Sequence, residues 1–398
     1  MRLGCVLVAV CVLALGAYVR PATAASEFDA AFARTSYVPG ALARLVVTAP
    51  AGDLIVQPLS GTTVGGGRGE RVPQSQLAPP RTITWRGGTG PLYVRIGDWP
   101  SGVYFFRLRL GTGARLAPVV VRPTLLGTSS VAVVVPTYTW EAYNFRNGDT
   151  WYACACVRTV ALSRPFLAGG MPPHFVGYDR GFLRWLVARN VSVDFLTDQD
   201  LERFGSGDQL RHLYRAVVFS GHEEYVTEHE YNLVERYRDD GGHLMFLAAN
   251  SFFREVTVSG SAMTLVGRWR DLGRPEAALL GAQYLDWNHG IFPNRPYRVV
   301  GAHRLPWLFR DTGLGNGSIV AGSFGIEIDA VAAASPPHTI VIAAIDDIFG
   351  TETAEMTYYT TARGAEVFDA GVMNFGGSAQ LPQVSALLAN LWTHMVGV

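Results

Sequence analysis

The sequence contains no lysine: all 33 basic residues are arginine, set against 33 acidic residues. Schiff-base catalysis, pyridoxal phosphate attachment and a phosphate-binding P-loop each need a lysine amine, so all three are excluded. Charge of one sign is also absent. A formal net charge of zero gives no electrostatic hold on a polyanion, so no nucleic acid and no anionic membrane surface is expected as a partner. Cysteine is scarce. Of four, Cys5 and Cys11 lie near the start, which leaves only Cys154 and Cys156, too few for a disulfide framework. Two idle or buried thiols are a simpler reading of that pair than a strained ring or a metal-binding dithiolate. A Gly-x-Ser-x-Gly elbow is missing too, which removes the serine-hydrolase arrangement. Neither cysteine follows a strand, as an elbow nucleophile would.

One apolar run stands out, at residues 5–19, preceded by Arg2 and followed by Ala22-Thr23-Ala24. Residues 1–24 therefore read as a secretory signal peptide, since the run is shorter than the roughly 20 residues that span a bilayer. The expected protein is secreted or extracytoplasmic, with no integral membrane segment after cleavage.

Length and hydrophobic content, 398 residues and 48%, favour two domains. Residues 25–123 hold short β-branched runs (ALARLVVTA, DLIVQPL, RTITW, PLYVRI, GVYFFRLRL, APVVVRP) separated by Gly, Pro and Ser, a spacing that predicts an antiparallel, immunoglobulin-like β-sandwich. From 124 to 398 the pattern alternates. Strands at 131–135, 191–196, 216–219 and 243–248 are interleaved with helices at 181–189 and about 200–213, which predicts a parallel sheet with crossover helices. Thr227 and Glu230 have the spacing of a capping box for a helix bearing Tyr231, Val234 and Tyr237, ended by Gly241 and Gly242. Beyond 254 the sequence predicts a hairpin and further strands, then a last helix with Val384, Leu387, Leu388, Leu391 and Met395 on one face.

Ligands of open α/β sheets bind beyond the carboxyl ends of the strands, and here those ends are polar or aromatic. They are 136–144, 197–200, the Gly221-His222-Glu223-Glu224-Tyr225 cluster, and Ala249-Asn250. His222 and Glu224 flank one residue, so on an extended turn they can point the same way, as metal ligands or as an acid and base pair. The same cluster suits a solvated turn in which Glu223 and Glu224 complement a helix dipole, and from this segment alone that is the simpler reading. Tyr143 and Tyr152 share an aromatic loop with Trp140 and Trp151. Such loops usually pack, although phenolate oxygen is also a hard ligand suited to ferric iron.

Six motifs, in order, resemble the large (beta) subunit of N,N-dimethylformamidase and the proteins sharing its C-terminal domain. They are PTYTWEAYN at 136–144, FLRWLVARNVSVDFLTDQDL at 182–201, GHEEY at 221–225, GGHLMFLAANSFF at 241–253, GIEID at 325–329 and GAEVFDAG at 364–371. The resemblance runs from about 131 to 398, and WPSGVYFFRL with VVVRP looks like the end of the family's preceding sandwich. It implies a mononuclear iron (Fe3+) held by two tyrosines and one glutamate, with hydrolysis of a small amide by metal-activated water. It assigns Glu224 as the carboxylate ligand, Tyr143 as the better-matched tyrosine and Tyr152 as the weaker one, with His222 as the adjacent catalytic group. Asn250 would orient the substrate and Glu327 would be a supporting carboxylate.

The expected fold class is therefore α/β, a class I glutamine amidotransferase-like (flavodoxin-like), mostly parallel sheet with flanking helices, preceded by the N-terminal β-sandwich. The expected function is that of an exported, metal-dependent hydrolase of a carbon-nitrogen bond in a small amide-like substrate, and a homo-oligomer is compatible with it. The alternative is a non-catalytic exported protein binding a glycan or envelope polymer through the sandwich and the aromatic loop. An amidotransferase-like domain is disfavoured because it lacks an elbow cysteine.

Overall fold

The computed structural model describes residues 28–64, 77–152 and 157–397. The signal-peptide reading of residues 1–24, and Cys154 and Cys156, lie outside them.

Eight strands occupy residues 29–121: β1 (Asp29–Phe32), β2 (Ser36–Tyr37), β3 (Leu42–Ala49), β4 (Gly52–Ser60), β5 (Arg81–Trp85), β6 (Gly88–Arg95), β7 (Gly102–Leu110) and β8 (Gly113–Val121). Ala43, Leu45, Val47 and Ala49 are buried while the residues between them are not, which is the period of two for a strand covered on one face. Strands β1-β3-β6 form one sheet and β2-β8-β7-β4-β5 another. Their inner faces share a core in which Leu45 and Val47 meet Leu54, Phe106 and Leu108, so the two sheets pack as a sandwich. Phe105 and Val120 face outward from that core into the apolar cluster of the following residues. An Arg146–Asp29 pair at 2.6 Å crosses the same boundary.

The next elements are β9 (Val131–Val135), α1 (Thr137–Ala142), β10 (Thr159–Ala161), α2 (Phe175–Tyr178), α3 (Arg180–Ala188), β11 (Asp194–Thr197), α4 (Asp198–Leu201) and α5 (Gly207–Leu213). Then come β12 (Ala216–Phe219), β13 (Tyr225–Thr227), α6 (Glu228–Asp239), β14 (His243–Phe246), β15 (Arg254–Ser259), β16 (Ala262–Arg268), α7 (Ala277–Leu280) and β17 (Gln283–Trp287). The chain ends with β18 (Arg295–Val299), β19 (Ile319–Phe324), β20 (Glu327–Ala330), β21 (Ile340–Ile345), β22 (Ala354–Thr360), β23 (Glu366–Asp369) and α8 (Pro382–Val396). Nine of these strands make one sheet in the order β11-β9-β12-β14-β23-β22-β21-β18-β19. β9 is apolar throughout because both of its faces are covered. Val131, Val133 and Val135 enter one core cluster and Ala132 and Val134 the other.

The expected mostly parallel, flavodoxin-like sheet of a class I glutamine amidotransferase-like α/β fold is not what the chain forms. Four ladders of the nine-stranded sheet are parallel and four are antiparallel. Smaller sheets β10-β16-β15-β13 and β17-β20 stand beside it, and strands outweigh helices along the described chain. The cause is in the connections. β21, β22 and β23 follow one another through links of eight and five residues, too short for a crossover helix, and such links yield antiparallel neighbours. The helix expected at about 200–213 is two, α4 and α5, because the Ser206 hydroxyl accepts from the Gln209 N–H and starts a new helix. Among the described residues no helix is long and apolar enough to cross a membrane.

Candidate functional site

Four chain segments converge at the carboxyl ends of β9, β12 and β14. Past β9, the buried helix α1 leads to Tyr143. Past β12, the chain turns through Gly221, where a Cβ would stand 2.1 Å from Asp179 Oδ1 and 3.2 Å from Pro136 Cγ, so only glycine fits the turn that presents His222 and Glu224. The Thr139 hydroxyl on α1 accepts from the Glu224 and Tyr225 N–H groups at 3.0 and 3.3 Å and ties the first two segments together. Past β14, Asn250 adopts a left-handed φ of 56°, and its N–H donates to Asp329 Oδ1 at 2.8 Å. The fourth segment is β20, which begins at Glu327.

The side chains meet closely. The Tyr143 hydroxyl donates to Glu224 Oε2 at 2.5 Å, and the buried Tyr225 ring packs beside Tyr143 at 6.0 Å between centroids. His222 Nε2 stands 3.5 Å from Glu224 Oε2 and 3.6 Å from Glu327 Oε2. Asn250 Nδ2 donates to Glu327 Oε2 at 2.7 Å, and Arg254 Nε lies 3.3 Å from Glu224 Oε1. Two buried atoms, His222 Nε2 and Asn250 Oδ1, have no hydrogen-bond partner. A buried polar atom left unsatisfied costs about 1 to 3 kcal/mol, so their convergence marks a place prepared for a ligand.

The electrostatics follow from burial. Burial pushes the Glu224 carboxyl up against the opposing effects of the Tyr143 hydrogen bond and the Arg254 charge. Glu327 is raised to about 8, first by burial and then by the Glu224 charge. His222 is lowered to about 3 by burial and by His174. The Tyr143 phenol is held well above its ordinary value by burial and the neighbouring carboxylates. Perturbed acids and a neutral imidazole gathered at strand ends are what a functional site leads one to expect. The phenol and carboxylate oxygens are hard donors of the type that suits ferric iron.

Of the residues singled out from sequence, Tyr143, His222, Glu224, Asn250 and Glu327 come together here. Tyr152 stands at the rim. Its ring meets the Tyr143 ring edge-on at 5.2 Å between centroids, and it is 42% exposed. Glu223 corrects the solvated-turn reading of the cluster, because it is fully buried and grouped with Asp198 and Glu230. Tyr225 and Arg254 were not anticipated. Tyr225 was legible as the last letter of the GHEEY motif, whereas Arg254 carried no local signal, since only the pairing of β13 with β15 brings it to Glu224.

Comparison with known proteins agrees with the motif order. The model of the family described as N,N-dimethylformamidase beta subunit-like, C-terminal, matches residues 81–268 and 260–386. The N,N-dimethylformamidase beta subunit of an Alcaligenes species is 24% identical over 259 residues, covering 50% of this chain and 34% of that one. The protein of the same name from Paracoccus aminophilus is 25% identical over 289 residues, covering 56% and 37%. The chain thus spans about a third of the length of these relatives. A solved structure titled mmIFT52 N-terminal domain aligns with a TM-score of 0.35 and 11% identity, over 54% of this chain and 89% of that one, a likeness too slight to bear on the fold. With the family model matching well over half of its residues, the chain belongs to the N,N-dimethylformamidase beta subunit-like C-terminal family.

Proposed function

We propose that the protein is an exported amidase that hydrolyses the carbon-nitrogen bond of a small amide, with ferric iron held at Tyr143 and Glu224. The observation that carries this reading is the Tyr143 hydroxyl at 2.5 Å from Glu224 Oε2, with the unpartnered His222 Nε2 directed at the same carboxylate. Tyr225 and Tyr152 are the two candidates for a second phenol ligand, and the burial of Tyr225 against the Glu224 charge favours Tyr225. Export rests on the pattern of residues 1–24.

Bound there, iron would supply Lewis acidity for a carbonyl oxygen and make water acidic enough to attack. The chain's own residues do the rest. His222 Nε2, neutral and without a partner, accepts the proton that water gives up as it adds to the amide carbon. Glu327, raised to about 8, holds a proton near neutrality and lies 3.6 Å from His222, placed to return one to the leaving amine. The free Asn250 Oδ1 is an acceptor for a substrate N–H, while its Nδ2 is fixed by Glu327. Arg254 balances the Glu224 charge from the opposite side.

The test is hydrolysis of a panel of formamides and acetamides, N,N-dimethylformamide included, by wild type, His222→Ala and Glu224→Ala. Turnover by wild type that falls at least about 100-fold in His222→Ala supports the reading. Binding without turnover by the iron-loaded wild type contradicts it.

A further inference from the structure

Behind the turn that presents His222 and Glu224 lies a second cluster that the amidase reading does not use. Successive residues of an extended turn point to opposite sides, so while His222 and Glu224 face Tyr143, Glu223 faces inward. There it meets Asp198, the first residue of α4, and Glu230 of α6. One carboxylate oxygen from each of the three lies within 4.8 Å of the others. Glu223, Glu230 and Asp198 are each fully buried.

Five of the six carboxylate oxygens have no donor from any other group: both of Glu223, both of Glu230, and Asp198 Oδ1, while Glu223 and Asp198 stand close enough to share a proton. Only Asp198 Oδ2 is satisfied, by the Thr137 hydroxyl and the Tyr138 N–H. Among the described residues no arginine pairs with any of the three, and the groups that raise Glu223 and Glu230 after burial are other acids. A separate observation comes from the start of α6. The Thr227 hydroxyl accepts from the Glu230 N–H, but the Glu230 carboxylate makes no return bond to complete the capping box, unlike Asp200 at the start of α4. Glu230 forgoes that bond and directs an unpartnered, fully buried carboxylate into the cluster.

We propose that Asp198, Glu223 and Glu230 bind a divalent cation that fastens the start of α4, the His222–Glu224 turn and α6 to one another. Three carboxylates are hard oxygen donors, the set preferred by calcium, magnesium and manganese. Oxygens within 4.8 Å of one another are spanned by a single ion at roughly 2.3 to 2.6 Å with little movement, the range of calcium. Magnesium would require the three segments to close further, since its bonds are about 2.1 Å. A cation also explains why three acids stand together in the interior without a countercharge, where an uncompensated carboxylate is among the costliest groups to bury. The site is independent of the iron reading. None of its three ligands is assigned to the iron, and it stands whether or not the protein cleaves an amide.

The experiment is elemental analysis for calcium, magnesium and manganese on the purified full chain after dialysis. It includes wild type, Tyr143→Phe and the double variant Glu223→Gln/Glu230→Gln, followed by thermal melts with and without EGTA and with each metal added back. The expected result is close to one equivalent of one of these metals in wild type and in Tyr143→Phe, and none in the double variant. Saturating metal should raise the melting temperature of stripped wild type by about 3 to 5 °C and leave the double variant unmoved. Wild type that holds none of the three metals and melts identically with and without them overturns the proposal and leaves protonated carboxyls sharing the space. Metal that disappears in Tyr143→Phe, or persists in the double variant, also overturns it. Should the double variant not fold, the metal content and melting shift of wild type and Tyr143→Phe decide alone.

Discussion

Replacing Arg164 by methionine tests whether the loop carrying Tyr143 is fastened from behind by one buried cation. The Arg164 guanidinium donates to the backbone carbonyls of Glu141 at 2.6 Å, Arg146 at 2.9 Å and Asp149 at 2.8 Å. It also faces Glu141 Oε2 at 3.4 Å, with the two side chains only 6% and 5% exposed, so solvent screens the pair little. Methionine keeps much of the stem's packing, but it leaves three carbonyls unsatisfied and the Glu141 carboxylate without its countercharge. Breaking a buried pair from one side costs about 3 to 5 kcal/mol. With an unfolding entropy of roughly 2.1 cal/mol/K per residue over 398 residues, that is a drop of about 4 to 6 °C in melting temperature. The loss should deepen with pH. Burial already raises Glu141 to about 7 against the pull of Arg164, so its contribution is full below about pH 4.5 and fades as pH rises towards 7. Without the arginine the penalty for ionising it continues to grow beyond that. Equilibrium urea denaturation at pH 6 and pH 8, with Glu141→Gln completing a double-mutant cycle, gives the coupling. A loss below about 1 kcal/mol, or no recovery when Glu141→Gln is added, would refute the reasoning.

Three further outcomes are expected. Gly221→Ala places a Cβ 2.1 Å from Asp179 Oδ1, which should cost about 1 to 3 kcal/mol and reduce amide turnover by displacing His222, as read by melting temperature and rate together. Asp179, raised to about 8 by burial, favours its protonated form in the fold, so wild type should lose stability relative to Asp179→Asn as pH rises from about 4 to 8. Melts across that range should show the advantage of the variant growing to a few kcal/mol, and a constant difference would contradict it. Tyr225→Phe should lower iron content more than Tyr152→Phe, because Tyr225 is buried within the influence of the Glu224 charge while Tyr152 stands at the rim; equal losses would remove the preference.

Much of the site was legible because each residue lay at the end of a strand that announced itself. The apolar run 131–135 and the runs ending at 219 and 248 locate Tyr143, His222 with Glu224, and Asn250, and the GIEID motif supplies Glu327. What could not be read was which side of the turn each acid takes. Glu223 and Glu224 are adjacent and alike, yet Glu224 reaches the Tyr143 phenol while Glu223 enters an interior cluster with Asp198 and Glu230. That difference is fixed by α4 and α6 packing beneath the turn, a long-range contact with no local signature. The fold class failed for a related reason. Alternating strands and helices up to 248 imply crossovers, but most strands beyond 254 pair antiparallel, and nothing in β-branched runs such as TIVIAAI states the direction of their neighbours. The capping box at Thr227 and Glu230 was half right: the spacing set the helix start, and the buried cluster claimed the carboxylate.

The most direct test of the central claim is the iron content and visible spectrum of the purified wild-type chain, with Tyr143→Phe and Glu224→Ala alongside. The account predicts close to one iron per chain in wild type, with a visible phenolate-to-iron absorption that is lost in Tyr143→Phe and Glu224→Ala. Wild type produced with ample iron that carries none, or iron that survives both substitutions, would contradict it.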